Sequence, residues 1–174
     1  MRTVRTPFEQ LVAESYEPLQ RYLRRRTDHA TADDVLGDSL LVMWRRHEEI
    51  PEDARLAWCY GVARGCLANA IRSSERRLRL VRRLAAERSP SVQTVDPLLQ
   101  EALDALPAKD AEVLRLWAWE QLTASEIATA LDITPNAASI RLHRATKKLK
   151  AAVLRGKNDA AVGQPVGRRR GEKR

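Results

Sequence analysis

Apolar positions along the chain recur at three- and four-residue steps, the period that lines one face of an α-helix. Phe8, Leu11, Val12, Tyr16, Leu19 and Leu23 trace a first helix, in which Pro18 predicts a kink or a break because it lacks a backbone donor. Thr31 stands where an N-cap is needed and Asp33 and Asp34 follow in the first turn, starting a second helix that runs to about Arg46. Val35, Leu40, Met43 and Trp44 are its core positions. Pro51 interrupts the pattern, and a third helix covers about residues 56–80, apolar at first and increasingly basic later. Residues 88–97 combine two Pro with small polar residues and read as a linker. Beyond it Leu99, Ala102, Leu103 and Leu106 form one stripe, and after Pro107 the positions Val113, Leu114, Trp117 and Ala118 begin another. No alternating β-branched run is long enough for a strand. The pattern predicts an all-α chain of two small helical domains joined by a flexible linker.

The segment 122–150, LTASEIATALDITPNAASIRLHRATKKLK, carries the densest local signals. Thr123 is placed to cap a short helix, and Glu126, three residues on, completes a capping box. Ile127, Ala128 and Leu131 give that helix its buried side. Asp132 and Ile133 form a turn with an apolar plug, and Thr134 caps the next helix with Pro135 at its first position. Ala138, Leu142, Ala145 and Leu149 then point inward, which leaves Asn136, Ser139, Ile140, His143, Arg144 and Lys147 on the outer face. A short helix, a tight turn and a second helix with a polar, basic outer face describe a helix-turn-helix, whose second helix enters the major groove of DNA. Arg144 and Ser139 are placed to read bases, and Arg141, Lys147 and Lys148 to hold phosphates.

Charge agrees with that reading. Of 174 residues, 31 are Lys or Arg and 23 are Asp or Glu, a net charge of +8 with a pI near 10.1, which favours nucleic acid over lipid as the partner. Residues 72–88 hold seven Arg against two Glu, and residues 155–174 hold seven basic against two acidic residues with little to bury, so the latter read as a disordered basic tail. Domains of roughly 60 to 80 residues bury only about 60 % of their unfolded surface and are marginal alone, so a stabilising partner is expected. Cys59 and Cys66 lie about 10 Å apart at roughly 1.5 Å per helical residue, too far for a disulfide, and read as small core residues. The three His stand at no metal-ligand spacing. With no carboxylate cluster, glycine-rich phosphate loop or nucleophile beside a base, the expectation is no enzyme, no catalytic residue, no metal and no cofactor. Neither a secretory leader nor an apolar run approaching 18 residues is present, which predicts a cytoplasmic protein with no membrane insertion.

Three stretches carry a family resemblance. LLQEALDALPAKDAEVLRLWAWEQLTASEIATALDITPNAASIRLHRATKKL resembles the fourth conserved region of bacterial RNA polymerase sigma factors. TADDVLGDSLLVMWRR resembles the core-binding helix of their second conserved region, and RLAWCYGVARGCLANAIRSSERR resembles the following helix, which handles the minus-ten element. Two such domains in this order, with only a short linker between them, resemble the extracytoplasmic-function (ECF) group. The resemblance implies a region-2-like domain at 1–87, a linker at 88–97, a region-4-like helix-turn-helix domain at 98–154 and the tail at 155–174. It implies an alternative sigma factor that binds core RNA polymerase through the β′ clamp helices and the β flap, recognises minus-ten and minus-thirty-five promoter elements, and is held by an anti-sigma factor. Asp34, Asp38, Leu41 and Arg45 would then face the clamp helices, and their spacing places them on one helix face. Asn69, Arg72, Ser73, Arg76 and Arg77 would meet the minus-ten region, with the loop 48–55 beside them for base capture. The family usually carries Gln where Gly37 stands, so polymerase binding is expected to be weaker or differently arranged, and it usually carries Asn at Gly65 and a basic residue at Ser139, so promoter preference is expected to be this chain's own. The alternative is a stand-alone helix-turn-helix regulator, which has no need of an acidic, polymerase-like helix in its N-terminal half.

Overall fold

The computed structural model describes the backbone of residues 7–81 and 97–162, with side chains for 7–76 and 99–156. Within them the chain is helical: α1 (Pro7–Arg24), α2 (His29–Arg45), α3 (Arg55–Val81), α4 (Pro97–Asp104), α5 (Ala108–Ala118), α6 (Ala124–Leu131) and α7 (Pro135–Val162), with one 3-10 turn at His47–Glu49. There is no strand among the described residues.

Helix α1 passes through Pro18 without the expected break. Burial of Leu11, Ser15, Leu19, Tyr22 and Leu23 along one side carries it through, since tertiary packing outweighs one lost backbone hydrogen bond. Helix α2 starts earlier than expected, and its cap is Asp28 rather than Thr31. The Asp28 carboxylate accepts from the Thr31 N–H at 3.0 Å and from the Thr31 hydroxyl at 2.8 Å, so Thr31 lies inside the first turn. Two serines that look like surface residues are buried. The Ser15 hydroxyl donates to the Leu11 carbonyl at 2.7 Å and the Ser39 hydroxyl to the Val35 carbonyl at 2.6 Å, which satisfies each donor within its own helix.

Leu19, Leu23, Val35, Leu36, Met43, Cys59, Ala63 and Leu67 make the core of the first three helices. That core does not stop at the linker. It continues through Val113, Leu116, Leu122, Ile127, Ala130 and Ala138 of the C-terminal half, which adds a smaller cluster of its own around Leu103, Leu114 and Ala145. Each half has its own helices, and the stabilising partner expected for each is the other. This explains helix α5, where Leu116 is buried while Trp117 and Ala118, expected inside, are exposed. Val113 and Leu116 face the shared core and Leu114 the local one, which turns Trp117 out. Tyr16 and Trp44 are also exposed, against expectation. Helix α7 runs on through Val162, so residues 155–162 are helical rather than the start of a disordered tail. The expected linker residues 88–96 and tail residues 163–174 lie outside the described residues.

Candidate nucleic-acid interface

The helix-turn-helix forms from the local signals its sequence carries. The Thr123 hydroxyl oxygen accepts from the Glu126 N–H at 3.3 Å while the Glu126 carboxylate accepts from the Thr123 N–H at 2.8 Å, a reciprocal cap for α6. Asp132 ends α6 in the left-handed region at φ 53°, a conformation its short polar side chain tolerates, and the Ile133 N–H closes onto the Ala128 carbonyl at 3.0 Å. The Thr134 hydroxyl oxygen then accepts from the Ala137 N–H at 3.2 Å and Pro135 opens α7.

With Ala138 and Ala145 fully buried, Asn136, Ser139, Ile140, His143, Arg144 and Lys147 are all exposed on the outer side of α7, the arrangement expected. Two residues depart from it. Arg141 is half-buried and lines a crevice with Tyr22, Arg64 and Glu112. Lys148 donates to Asp110 at 2.6 Å, fastening α7 to α5 and leaving its ammonium less free for phosphate.

In the N-terminal half, Asp34, Asp38, Leu41 and Arg45 are all exposed along α2. Trp44 lies beside them at 57 % exposure, edge-on to Phe8 at 4.9 Å and stacked on His47 at 5.8 Å between ring centres. Gly37 lies on open surface, where an added Cβ would meet nothing within 4 Å. On α3, Asn69, Arg72, Ser73 and Arg76 are exposed, and Arg72 donates to the Asn69 side-chain oxygen at 2.5 Å. Arg77 continues that helix with its side chain outside the described residues. In the loop before α3, Arg46 donates to the Glu49 carboxylate at 3.0 Å, which holds Glu49 below the usual carboxylate range. Trp58 is half-buried against the core with the Arg46 guanidinium 5.6 Å from its ring, close to the core role expected of it. Burial pushes the Cys59 thiol up to about 11 and raises Cys66, which keeps both protonated and inert at neutral pH.

Sequence reasoning missed a seam of charge between the halves. Arg25 pairs with Glu120, and Arg26 bridges Glu120 at 3.3 Å and Glu112 at 3.5 Å. The Tyr22 hydroxyl donates to Glu112 at 3.2 Å, and Tyr60, raised to about 12 by burial and then by the Glu120 carboxylate, completes the cluster. The available signal was the run Arg24, Arg25, Arg26, which solvation explains equally well. Among the described residues no group of three or more His, Cys, Asp or Glu is placed to hold a metal ion, and no helix is long and apolar enough to cross a membrane.

Comparison with known proteins places these surfaces in context. The family described as "Sigma-70, region 4" matches residues 97–149, from the start of α4 to Leu149 within α7. The chain is 32 % identical over 143 residues to the ECF RNA polymerase sigma factor SigL of Mycobacterium tuberculosis, covering 76 % of this chain and 80 % of that one. It is 31 % identical over 162 residues to the RNA polymerase sigma-E factor of Streptomyces coelicolor, covering 88 % and 89 %. Among solved structures it is similar in fold to the sigma factor RpoE of Bartonella quintana, crystallised with the anti-sigma factor NepR. The TM-score is 0.62 at 18 % identity over 84 % of this chain and 96 % of that one.

Proposed function

From the premise that this chain belongs to the ECF RNA polymerase sigma factors, we propose a division of labour among its exposed surfaces. The chain is an alternative sigma factor: it binds core RNA polymerase and directs promoter-specific initiation by recognising minus-ten and minus-thirty-five elements. It is not an enzyme, and the chemistry stays with the polymerase. Within that activity, Asp34, Asp38, Leu41 and Arg45 dock on the β′ clamp helices. Asn69, Arg72, Ser73, Arg76 and Arg77 handle the minus-ten region, with Asn69 placed to bond a base and the Arg residues to hold phosphates. Helix α7 reads the minus-thirty-five element through Asn136, Ser139, Ile140, His143 and Arg144, with Lys147 on phosphate and Arg141 joining only when the crevice beside it opens. The β flap takes the C-terminal half. Residues 1–87 serve as the core-binding and minus-ten unit and 98–154 as the minus-thirty-five unit, acting in the cytoplasm. An anti-sigma protein, the kind of partner with which RpoE was crystallised, holds the chain inactive.

The observation that carries this reading is the fully capped helix-turn-helix whose recognition face, from Asn136 to Lys147, is open to solvent. In vitro transcription with core polymerase from the source organism and a pool of its genomic fragments tests it. Discrete transcripts should appear only with the chain present, and Asp38→Arg and Arg144→Glu should each cut them by about tenfold or more, the scale on which charge-pair contacts act. Full transcription from both variants would sink the residue assignments. Specific DNA binding without initiation would turn the reading to a stand-alone regulator.

A further inference from the structure

From the crevice that Arg141 lines we infer a binding site for a small aliphatic anion, a single carboxylate or phosphate headgroup on a short alkyl chain. The crevice measures about 580 Å³, within the roughly 300–1,000 Å³ of sites that take small organic ligands. Four cations stand in its wall, Arg26, Arg64, Lys109 and Arg141, against one carboxylate, Glu112. That carboxylate is already committed, since Arg26 pairs with it at 3.5 Å and the Tyr22 hydroxyl donates to it at 3.2 Å. Arg64, Lys109 and Arg141 have no acidic partner among the described residues, and Arg64 and Arg141 are half-buried. Charges drawn out of water without a counter-ion are costly, so an anion placed among them is favoured. Arg26 adds a buried Nε that has no hydrogen-bond partner among the described residues, on a side chain only 9 % exposed.

Backbone and packing support the same headgroup. Ala108 and Lys109 open α5 on the crevice, Pro107 before them supplies no side-chain cap, and the partial positive charge of a helix start favours an anion. Helix α3 meets α6 almost backbone to backbone at Gly61, where an added Cβ would sit 3.1 Å from the Ala130 carbonyl oxygen. Arg64 Nε donates to that same oxygen at 3.4 Å, which fixes the guanidinium at the crevice wall. The rest of the lining says what the anion carries. Leu67, Ala68, Ile71, Leu131 and Ile133 are aliphatic. Among the described residues the wall offers no amide side chain, and its one hydroxyl, that of Tyr22, is bonded to Glu112. A sugar or nucleobase would leave its polar edges without partners there, whereas an alkyl chain needs only apolar area. Arg141 also belongs to the promoter-facing helix, so the site is coupled to DNA, a consequence that rests on the sigma-factor reading. An anion that holds Arg141 in the crevice withholds it from the upstream element, and by linkage the DNA weakens the anion by the same factor.

The test uses the full chain with three probes: octanoate carries charge and alkyl chain, octanol the chain alone, and inorganic phosphate the charge alone. In calorimetric titrations octanoate should bind once per chain and raise the melting temperature, and octanol and phosphate should each bind about tenfold or more weakly. Arg64→Met keeps the apolar stem and removes the charge, so it should weaken octanoate about tenfold while leaving octanol as in the parent. Ala68→Phe fills the crevice and should weaken both, with helical circular dichroism reporting that each variant is folded. On a duplex from a promoter that the transcription assay returns, saturating octanoate should weaken binding several-fold for the parent and not for Ala68→Phe. Octanoate that binds no better than octanol or phosphate, or binds both variants as it binds the parent, overturns the site. Equal loss of octanoate and octanol in Arg64→Met makes that residue structural and overturns the choice of an anion. Octanoate that binds as described and leaves duplex affinity unchanged overturns the coupling to DNA. If the assay returns no promoter, the sigma-factor reading fails, and the octanoate titrations still decide the site by themselves.

Discussion

Single residues decide where helices begin and which side chains reach the surface. Asp28 shows how far one position can mislead. Thr31 looks like the cap, yet Asp28 takes both of its donors, and a cap three residues earlier leaves no stronger mark in the sequence. The Thr31 N–H and then its hydroxyl hold the exposed Asp28 carboxyl below its usual range. A carboxyl whose folded value is depressed stabilises the fold above its unfolded value, about 3.9, and that contribution is lost as pH falls through the lower folded value. Asp28→Ala should therefore lower the melting temperature at neutral pH and flatten its decline in acid. Thermal melts of parent and variant between about pH 2.5 and 6 read the difference. An equal decline in both would show that the cap carries no pH dependence. Ser15 and Ser39 were illegible for a related reason: a hydroxyl bonded back to its own helix can be buried at little penalty, and nothing in the sequence marks that choice.

At the scale of elements the sequence was most legible where several local signals coincided. Helices α6 and α7 carry a capping box, a turn at Asp132 and Ile133, a second threonine cap and a Pro at the first position, and all four stand in the structure as expected. The capping box holds the helix that positions the recognition helix, so Thr123→Ala should cost about 1 kcal/mol of stability by chemical denaturation. A change below a few tenths would mean the box is redundant with packing. Helix α5 was misread because periodicity identifies one apolar face, whereas this helix buries two. Pro18 misled in the other direction, since a local rule about helix interiors gave way to a row of buried neighbours. For the candidate site, the residues on α2, α3 and α7 whose side chains the structure describes lie on the exposed faces their spacing assigned, apart from Arg141. Arg141 is half-buried in a crevice it shares with Tyr22 and Glu112, and Lys148 is exposed but held by Asp110, and these neighbours come from elements far away in sequence.

The molecule as a whole was the least legible level, since no pattern along the chain says that residue 25 meets residue 120 or that Gly61 lies under Ala130. Sequence reasoning anticipated only the need, two halves each too small to be robust alone. Because one core runs through both, calorimetry of the parent should show a single cooperative transition, and Gly61→Leu should split or broaden it into two. Two separate transitions in the parent would mean that the shared core contributes little to cooperativity. The surfaces left outside that core have an optical consequence. Trp44 on the N-terminal half and Trp117 on the C-terminal half are each about half open to water, at 57 % and 49 %. Each emits from a wet environment, so with the other three of the chain's four tryptophans replaced by Phe, a blue shift in intrinsic fluorescence would report without any dye which half a partner covers first.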